Sequence, residues 1–221
     1  MSSPFSIAAA LPRIPRGRPL LIVDADEVIL QFVAGFDVFL RRQGLYLDLT
    51  SYRLHGNVRR LDDNSTVLDV EVTALMDEFR SELDWLAAVA GAQAALAGLA
   101  ELASIAVLSN ISPVQAGPRV RNLMTLGLDL PLIANSGLKG PAVRDLANHA
   151  GMQTFFIDDI PQQLVSAAEH APEVTRIHLV GDERLKPLLA PSPHAHHYAE
   201  DWASAERFIR ERLGAQDASR N

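Results

Sequence analysis

An apolar segment that ends in two carboxylates constrains this chain more than any other feature. Residues 19–30 read PLLIVDADEVIL, so a strand-like run leads directly into Asp24 and Asp26. In an open parallel sheet, ligands bind at the carboxyl ends of the strands. Two carboxylates buried at such a place cost free energy unless a cation or a reaction uses them. The pair therefore indicates either that both acids bind one cation, or that one is a nucleophile and the other a proton-transfer group. The alternative for this pair is a helix cap or a turn.

Size and composition narrow the class of protein. The 221 residues, 48% of them hydrophobic, suit one large domain or a core with an inserted lobe. A net charge of -7 disfavours nucleic acid as a partner, although one lysine and a metal ion could still hold a small phosphate ester. The absence of cysteine excludes disulfides, thiolate catalysis and Cys-rich zinc sites and is compatible with the reduced cytoplasm, where we expect the protein. Because no stretch approaches about 18 apolar residues, we expect no membrane partner.

Strand and helix patterns alternate through most of the chain after residue 100. This alternation predicts a Rossmann-like, doubly wound parallel α/β sheet with helices on both faces. After the strand of residues 19–24, the predicted strands are SIAVLS (104–109), LPLIA (130–134), TFFID (154–158) and TRIHLVG (175–181). The helical block 31–90 interrupts the alternation, so we expect it to form a separate α-helical cap over the carboxyl edge of the sheet.

These patterns divide the chain into five segments. We predict a loose N-terminal extension at 1–17, an α/β core at 18–30 and 91–215, a helical cap at 31–90 and a C-terminal tail at 216–221. Within the cap, residues 45–64 are polar and irregular, and a helix that includes Val70 in its apolar stripe follows from residue 65.

Two further polar features come directly after predicted strands. The strand at 104–108 runs into Ser109 and Asn110, whose hydroxyl and backbone N–H groups could hold a phosphoryl oxygen, or could simply cap the next helix. Asp158 and Asp159 end the strand TFFID, where adjacent carboxylates favour a hard cation such as Mg²⁺. One acid would suffice to cap the helix that follows.

A lysine precedes the next predicted helix. Lys139 lies in SGLKGPAV, just before a helix that opens with Pro141. A helix N-terminus already carries partial positive charge, which disfavours a lysine beside it. The arrangement is favourable if the lysine and the helix N-terminus bind the same anion. A solvated loop lysine is the alternative.

Taken in order, these features resemble the haloacid dehalogenase-like (HAD) hydrolase superfamily. VDADEV is similar to its first motif, VLSN to its second, the lysine of GLKGP to its third and FIDD to its fourth. The resemblance covers residues 19–202, and it implies the Rossmann-like core and the cap inserted after the first motif.

The resemblance also implies a role for each matching position. Asp24 would be the nucleophile that forms an aspartyl-phosphate. Asp26 would be the general acid and then the general base. Ser109, with Asn110 beside it, would hold the phosphoryl group, and Lys139 would offset the charge between nucleophile and phosphate.

The same resemblance implies a Mg²⁺ site. Asp158 and Asp159 would complete it together with the Asp24 carboxylate and the Asp26 backbone carbonyl, with Asp159 favoured as the direct ligand. The implied function is a Mg²⁺-dependent phosphatase acting on a small phosphorylated metabolite, since dehalogenases of the group lack an acid where this chain has Asp26.

Two alternatives stay open at this stage. A phosphomutase would use the same phospho-aspartate, and a non-catalytic binding or regulatory protein would keep the fold alone. The family usually continues Gly-Thr after the second aspartate, whereas this chain has Glu27 and Val28. That departure favours the non-catalytic alternative and puts the metal geometry in question.

The cap carries the remaining candidates. Arg53 and His55 could contact the substrate, although a solvated polar loop is the simpler explanation for each of them taken singly. An exposed apolar face of the cap could pair two chains into a homodimer.

Overall fold

The computed structural model describes residues 3–220, whose core is a six-stranded sheet with all neighbouring strands parallel. Its strands are β1 (Leu20–Val23), β4 (Ser104–Asn110), β5 (Leu132–Asn135), β6 (Thr154–Asp158), β7 (Thr175–Leu179) and β8 (His197–Ala199), and two further strands lie in the inserted block. The order across the sheet is β5-β4-β1-β6-β7-β8, so β1 lies between two neighbours at the middle of the sheet. The predicted doubly wound α/β fold is therefore confirmed.

Helices cover both faces of this sheet. In β1, Leu21 and Val23 face one apolar cluster while Leu20 and Ile22 face the other, so the strand is buried on both sides. Helices α4 (Ala92–Leu99), α5 (Pro113–Thr125) and α8 (Trp202–Arg220) contribute to the first cluster, and α6 (Gly140–Ala150) and α7 (Pro161–His170) contribute to the second. No helix within residues 3–220 combines the length and the hydropathy needed to cross a bilayer.

The N-terminal segment packs against the core, which corrects the prediction of a loose extension. It forms the short helix α1 (Ile7–Ala10) and a 3-10 turn (Leu11–Arg13). Ile14 is buried in the second apolar cluster, and the carbonyl of Phe5 accepts a hydrogen bond from Ala134 in β5. Apolar residues between the prolines therefore bind the segment to the sheet. Residues 1 and 2 lie outside the described residues.

The block 31–90 contains two helices and a small sheet. Helices α2 (Phe32–Arg41) and α3 (Asp69–Arg80) pack through their aromatic rings, which are tilted against each other, and the ring centroid of Phe79 lies 5.3 Å from that of Phe36 and 5.5 Å from that of Phe39. Residues 45–64, predicted to be irregular, contain the antiparallel strands β2 (Leu45–Leu47) and β3 (Val58–Arg60). Buried Leu45, Leu47 and Val58 explain this pairing, because each faces the core of the block.

Two adjacent chain crossings join this block to the α/β core. Gln31 N–H donates to the carbonyl of Ala87, and Val89 N–H donates to the carbonyl of Ile29. The block therefore leaves and re-enters the core at one place, next to the end of β1. At the other end of the chain, α8 continues through residues 216–220 of the predicted tail, and Asn221 lies outside the described residues.

Candidate active site

The topology brings the polar strand ends together. Because β1 lies between β4 and β6, Asp24 at the end of β1 is flanked by Ser109 at the end of β4 and by Asp158 at the end of β6. Lys139 is the residue before α6, at the same edge of the sheet. Residues more than 130 positions apart in the sequence thus meet in one place.

Three carboxylates and one ammonium group form the centre of the site. Each of Asp24, Asp158 and Asp159 has a carboxylate oxygen within 4.8 Å of the others, and all three residues are buried. Lys139 Nζ lies 2.8 Å from Asp24 Oδ2 and 2.7 Å from Asp158 Oδ2. The lysine therefore bridges the candidate nucleophile and the acidic pair, rather than extending into solvent.

The negative charge of this cluster exceeds what Lys139 balances. Burial raises the pKa of Asp24 to about 7, and the neighbouring Lys139 only partly offsets this. Burial, Asp158 and Asp24 together raise the pKa of Asp159 well above its usual range. Burial lowers the pKa of Lys139, but Asp158 and Asp24 outweigh it and keep the ammonium group charged.

The donor set of this cluster fits a hard cation. One oxygen of Asp24 accepts from Ala25 N–H at 2.7 Å, and one oxygen of Asp158 accepts from Ile160 N–H at 2.9 Å, so backbone contacts fix both carboxylates. Each oxygen keeps a further lone pair, and all donors are oxygens, the ligands that Mg²⁺ and Ca²⁺ prefer. A divalent ion would also neutralise the excess charge.

The second predicted motif provides an unsatisfied hydroxyl. Ser109 is buried, and its Oγ has no hydrogen-bond partner among residues 3–215. Asn110 beside it donates to the carbonyl of Gly137 at 2.9 Å and accepts from Asn135 at 2.7 Å. The asparagine is therefore held in place, while the serine hydroxyl is free to bind a ligand oxygen.

Asp26 pairs with an arginine that the sequence analysis missed. Arg119 Nη2 on α5 lies 2.5 Å from Asp26 Oδ1, and the arginine side chain is 0% exposed. Its position in the helix could have revealed it, because Ala116, Arg119 and Leu123 share the buried face of α5. A charged residue on the buried face of a helix is uncommon and indicates either an ion pair or a functional contact.

Glu27, the departure from the family pattern, is buried in a strained backbone conformation. Its φ of 57° lies in the left-handed region, which favours glycine. Oε1 accepts from Val33 N–H in the first turn of α2 at 2.6 Å, and the backbone carbonyl accepts from Gly181 N–H at 2.6 Å. Burial raises the pKa of Glu27 to about 8. The side chain thus stabilises the start of α2 and ties the first motif to the inserted block.

A cavity of about 290 Å³ lies over the carboxylates, between the core and the inserted block. Tyr52 of that block donates its hydroxyl proton to Asp159 Oδ2 at 2.5 Å. The described residues that line the cavity from the core include Asp24, Asp26, Ser109, Asn110, Lys139 and Asp159, and those from the block include Phe32, Tyr52, Leu54, Met76 and Arg80. The far wall is therefore largely apolar with one arginine.

The structure places Arg53 and His55 outside this lining. Arg53 is exposed, and its carbonyl accepts from the side chain of Asn57. His55 Nε2 contacts Thr73 Oγ1 at 2.9 Å, within the inserted block. Their neighbours Tyr52 and Leu54 line the cavity instead. The right loop was identified, but the alternating side-chain directions within it were not visible from the sequence.

Comparisons with known proteins concern the fold. No protein-family model matches the sequence, and a search among curated proteins gives no match. Solved structures do match over nearly their whole length. A HAD family hydrolase from Deinococcus radiodurans R1, with bound phosphate and sodium, is 18% identical with a TM-score of 0.59, over 90% of this chain and 98% of that one.

Two further solved structures show the same similarity. A conserved haloacid dehalogenase-like protein of unknown function from Agrobacterium tumefaciens is 16% identical with a TM-score of 0.59, over 89% of this chain and 99% of that one. A defluorinating L-2-haloacid dehalogenase is 15% identical with a TM-score of 0.58, over 90% and 98%. At these identities the similarity concerns the fold.

Proposed function

Since the chain has the fold of the haloacid dehalogenase-like hydrolases, we propose that it is a Mg²⁺-dependent phosphatase acting on a small phosphorylated metabolite. The observation that carries the proposal is the convergence of Asp24, Lys139 and the acidic pair with the free hydroxyl of Ser109 around one cavity. Asp26 supports phosphate over halide chemistry, because it provides a proton donor for a leaving alkoxide.

The proposed reaction begins with substrate binding. Ser109 Oγ and Asn110 would hold oxygens of the phosphoryl group, while Lys139 Nζ offsets the charge between that group and Asp24. A Mg²⁺ ion held by the carboxylates of Asp24, Asp158 and Asp159, with the Asp26 carbonyl, would stabilise charge on the phosphoryl oxygens. The apolar wall of the inserted block would then exclude water from the cavity.

Phosphoryl transfer then uses the two aspartates of the first motif. An Asp24 carboxylate oxygen attacks phosphorus as the bond to the leaving oxygen breaks, which forms an aspartyl-phosphate. Asp26 gives its proton to the leaving oxygen, so the substrate departs as an alcohol. Asp26 then takes a proton from water, and the resulting hydroxide attacks phosphorus, which releases inorganic phosphate and restores Asp24.

Release of phosphate from p-nitrophenyl phosphate tests this proposal. We expect activity with Mg²⁺, loss of activity after chelation and its return when Mg²⁺ is added. Asp24→Asn should reduce kcat by at least about 10³-fold, because the nucleophile is gone. Asp145→Asn, a matched change at an exposed residue of α6, serves as the control and should keep full activity.

The outcomes separate the alternatives. Halide release from 2-chloropropionate without phosphate release would identify a dehalogenase. Isomerisation of a sugar phosphate without net phosphate release would identify a mutase. Binding of phosphate esters without turnover of any substrate would identify a non-catalytic protein. Equal turnover by wild type and Asp24→Asn would refute the assigned nucleophile.

A further inference from the structure

Arg119 has no partner that explains its burial except Asp26. Its side chain is 0% exposed, and none of its three side-chain nitrogens makes a hydrogen bond with a residue in 3–215. Asp26 Oδ1, at 2.5 Å from Nη2, is likewise buried with no hydrogen-bond donor. The two groups therefore form an ion pair in which neither side-chain end has another described contact.

Such a pair is a poor way to stabilise the fold. A buried guanidinium loses its hydration, and a single carboxylate partner recovers only part of that loss. An apolar residue of similar volume at position 119 would continue the buried stripe of Ala116 and Leu123 at a lower cost. The contact that Arg119 makes with the first motif is thus a better explanation of its presence than packing.

The contact with Arg119 occupies only one side of the Asp26 carboxylate, and the other side faces the cavity. Asp26 lines the cavity, and its side chain is 30% exposed although Oδ1 is buried against Arg119. Arg119 itself does not belong to the lining. The guanidinium therefore lies behind the carboxylate and limits its rotation, while the substrate would meet the opposite side.

We propose that Arg119 is a positioning residue, which fixes the Asp26 carboxyl group so that its second oxygen faces the leaving oxygen of the substrate. The inference rests on the proposed phosphatase function. In the reaction, Asp26 acts in its protonated form, with Oδ1 against Arg119 and the proton on the second oxygen. That proton moves to the leaving group as the phosphorus–oxygen bond breaks, and Arg119 transfers nothing. Its contribution is the orientation of the proton donor, which matters most when the leaving group is a poor one.

Leaving-group dependence gives the test. Arg119→Met keeps the size of the side chain and removes the charge. We expect its kcat to fall about 10- to 100-fold on phenyl phosphate, whose leaving group needs a proton, but less than about 5-fold on p-nitrophenyl phosphate. KM should change less than about 3-fold on both esters. Arg121→Met, on the exposed face of the same helix, is the matched control and should behave as wild type.

Two further variants exclude a general structural effect. Arg119→Lys retains a cation and should recover part of the rate on phenyl phosphate. Asp26→Asn with Arg119→Met should be no slower than Asp26→Asn alone, because a positioning residue has no effect once the group it positions is gone. If Arg119→Met does not fold, Arg119→Lys provides the test. Because lysine is shorter than arginine, kcat of this variant should fall moderately on phenyl phosphate and stay unchanged on p-nitrophenyl phosphate.

Several results would overturn the proposal. Equal losses on both esters would indicate a structural role, and a KM that rises more than tenfold would indicate direct contact with phosphate. Multiplicative losses in the double variant would show that the two residues act independently. A wild-type chain that hydrolyses neither ester would contradict the proposed function rather than the pairing. In that case, the unfolding equilibria of the two single variants and the double variant still measure whether Arg119 and Asp26 are coupled.

Discussion

Replacement of Gly140 by alanine should separate α6 from α7 and weaken the site at the same time. Gly140 is the first residue of α6, and its N–H donates to Ser166 Oγ of α7 at 3.2 Å. The preceding residue is Lys139, whose own N–H donates to Gln163 Oε1 of α7 at 2.8 Å. The start of α6 therefore depends on close contact with α7, and this contact positions Lys139, the proposed catalytic lysine.

The structure gives the size of the effect. A Cβ at position 140 would lie 2.2 Å from the backbone carbonyl oxygen of Ser166 and 2.5 Å from its Oγ, whereas real Cβ contacts essentially never fall under 3.0 Å. Backbone must move, because the closest atom belongs to α7 itself. Overpacking costs about 1–3 kcal/mol and the strained hydrogen bond about 1 kcal/mol. We expect a loss of about 2–4 kcal/mol in the free energy of unfolding.

Urea unfolding and phosphatase kinetics measure the two consequences. Gly140→Ala should lower both stability and kcat, because a shift of α6 moves Lys139 Nζ away from Asp24. Gly214→Ala is the matched control, since nothing lies within 4 Å of its added Cβ, and it should be neutral or stabilising by up to about 1 kcal/mol. Adding Ser166→Ala to Gly140→Ala should not restore stability, because the carbonyl clash remains. Unchanged stability in Gly140→Ala would refute the reasoning.

Three further predictions concern the surroundings of Asp159. Tyr52→Phe removes the donor that occupies Asp159 Oδ2, so calorimetry should show Mg²⁺ binding about 5-fold tighter, with Tyr46→Phe as the unaffected control. Asp159→Asn should abolish the rise in melting temperature that Mg²⁺ gives the wild type; an undiminished rise would exclude Asp159 as a ligand. Burial lowers the pKa of His178 below its ordinary 6.5, so the unfolded chain takes up a proton first, and stability should fall as the pH drops below about 6.5, by at most about 1.4 kcal/mol per pH unit. His178→Gln should reduce this slope, and an identical slope would contradict the assignment.

The core of the site could be predicted because each of its residues is marked by the few residues that precede it in the sequence. Asp24, Ser109 and Asp158 each follow an apolar run that reads as a buried strand, and parallel strands bring their carboxyl ends to one edge. The order of these features along the chain then identified the fold. No long-range packing had to be known for this step.

The rest of the site depends on packing that periodicity does not determine. Val70 was expected in the apolar stripe of its helix, but it is 73% exposed while Val72 is buried, because residues two positions apart lie on nearly opposite sides of a helix. In the loop at 52–55, Tyr52 and Leu54 line the cavity instead of Arg53 and His55, because periodicity does not predict side-chain directions in an irregular segment. Arg119 became recognisable only when α5 was placed against the first motif.

Because β1 lies at the centre of the sheet, the proposed reaction should last as long as the whole fold stays intact. Backbone amides in a strand with neighbours on both sides exchange with solvent only when the sheet opens, whereas β5 and β8 at the margins can fray alone. Asp24, the proposed nucleophile, is thus attached to the last part of the molecule to loosen. Heat or denaturant should therefore extinguish turnover together with global unfolding.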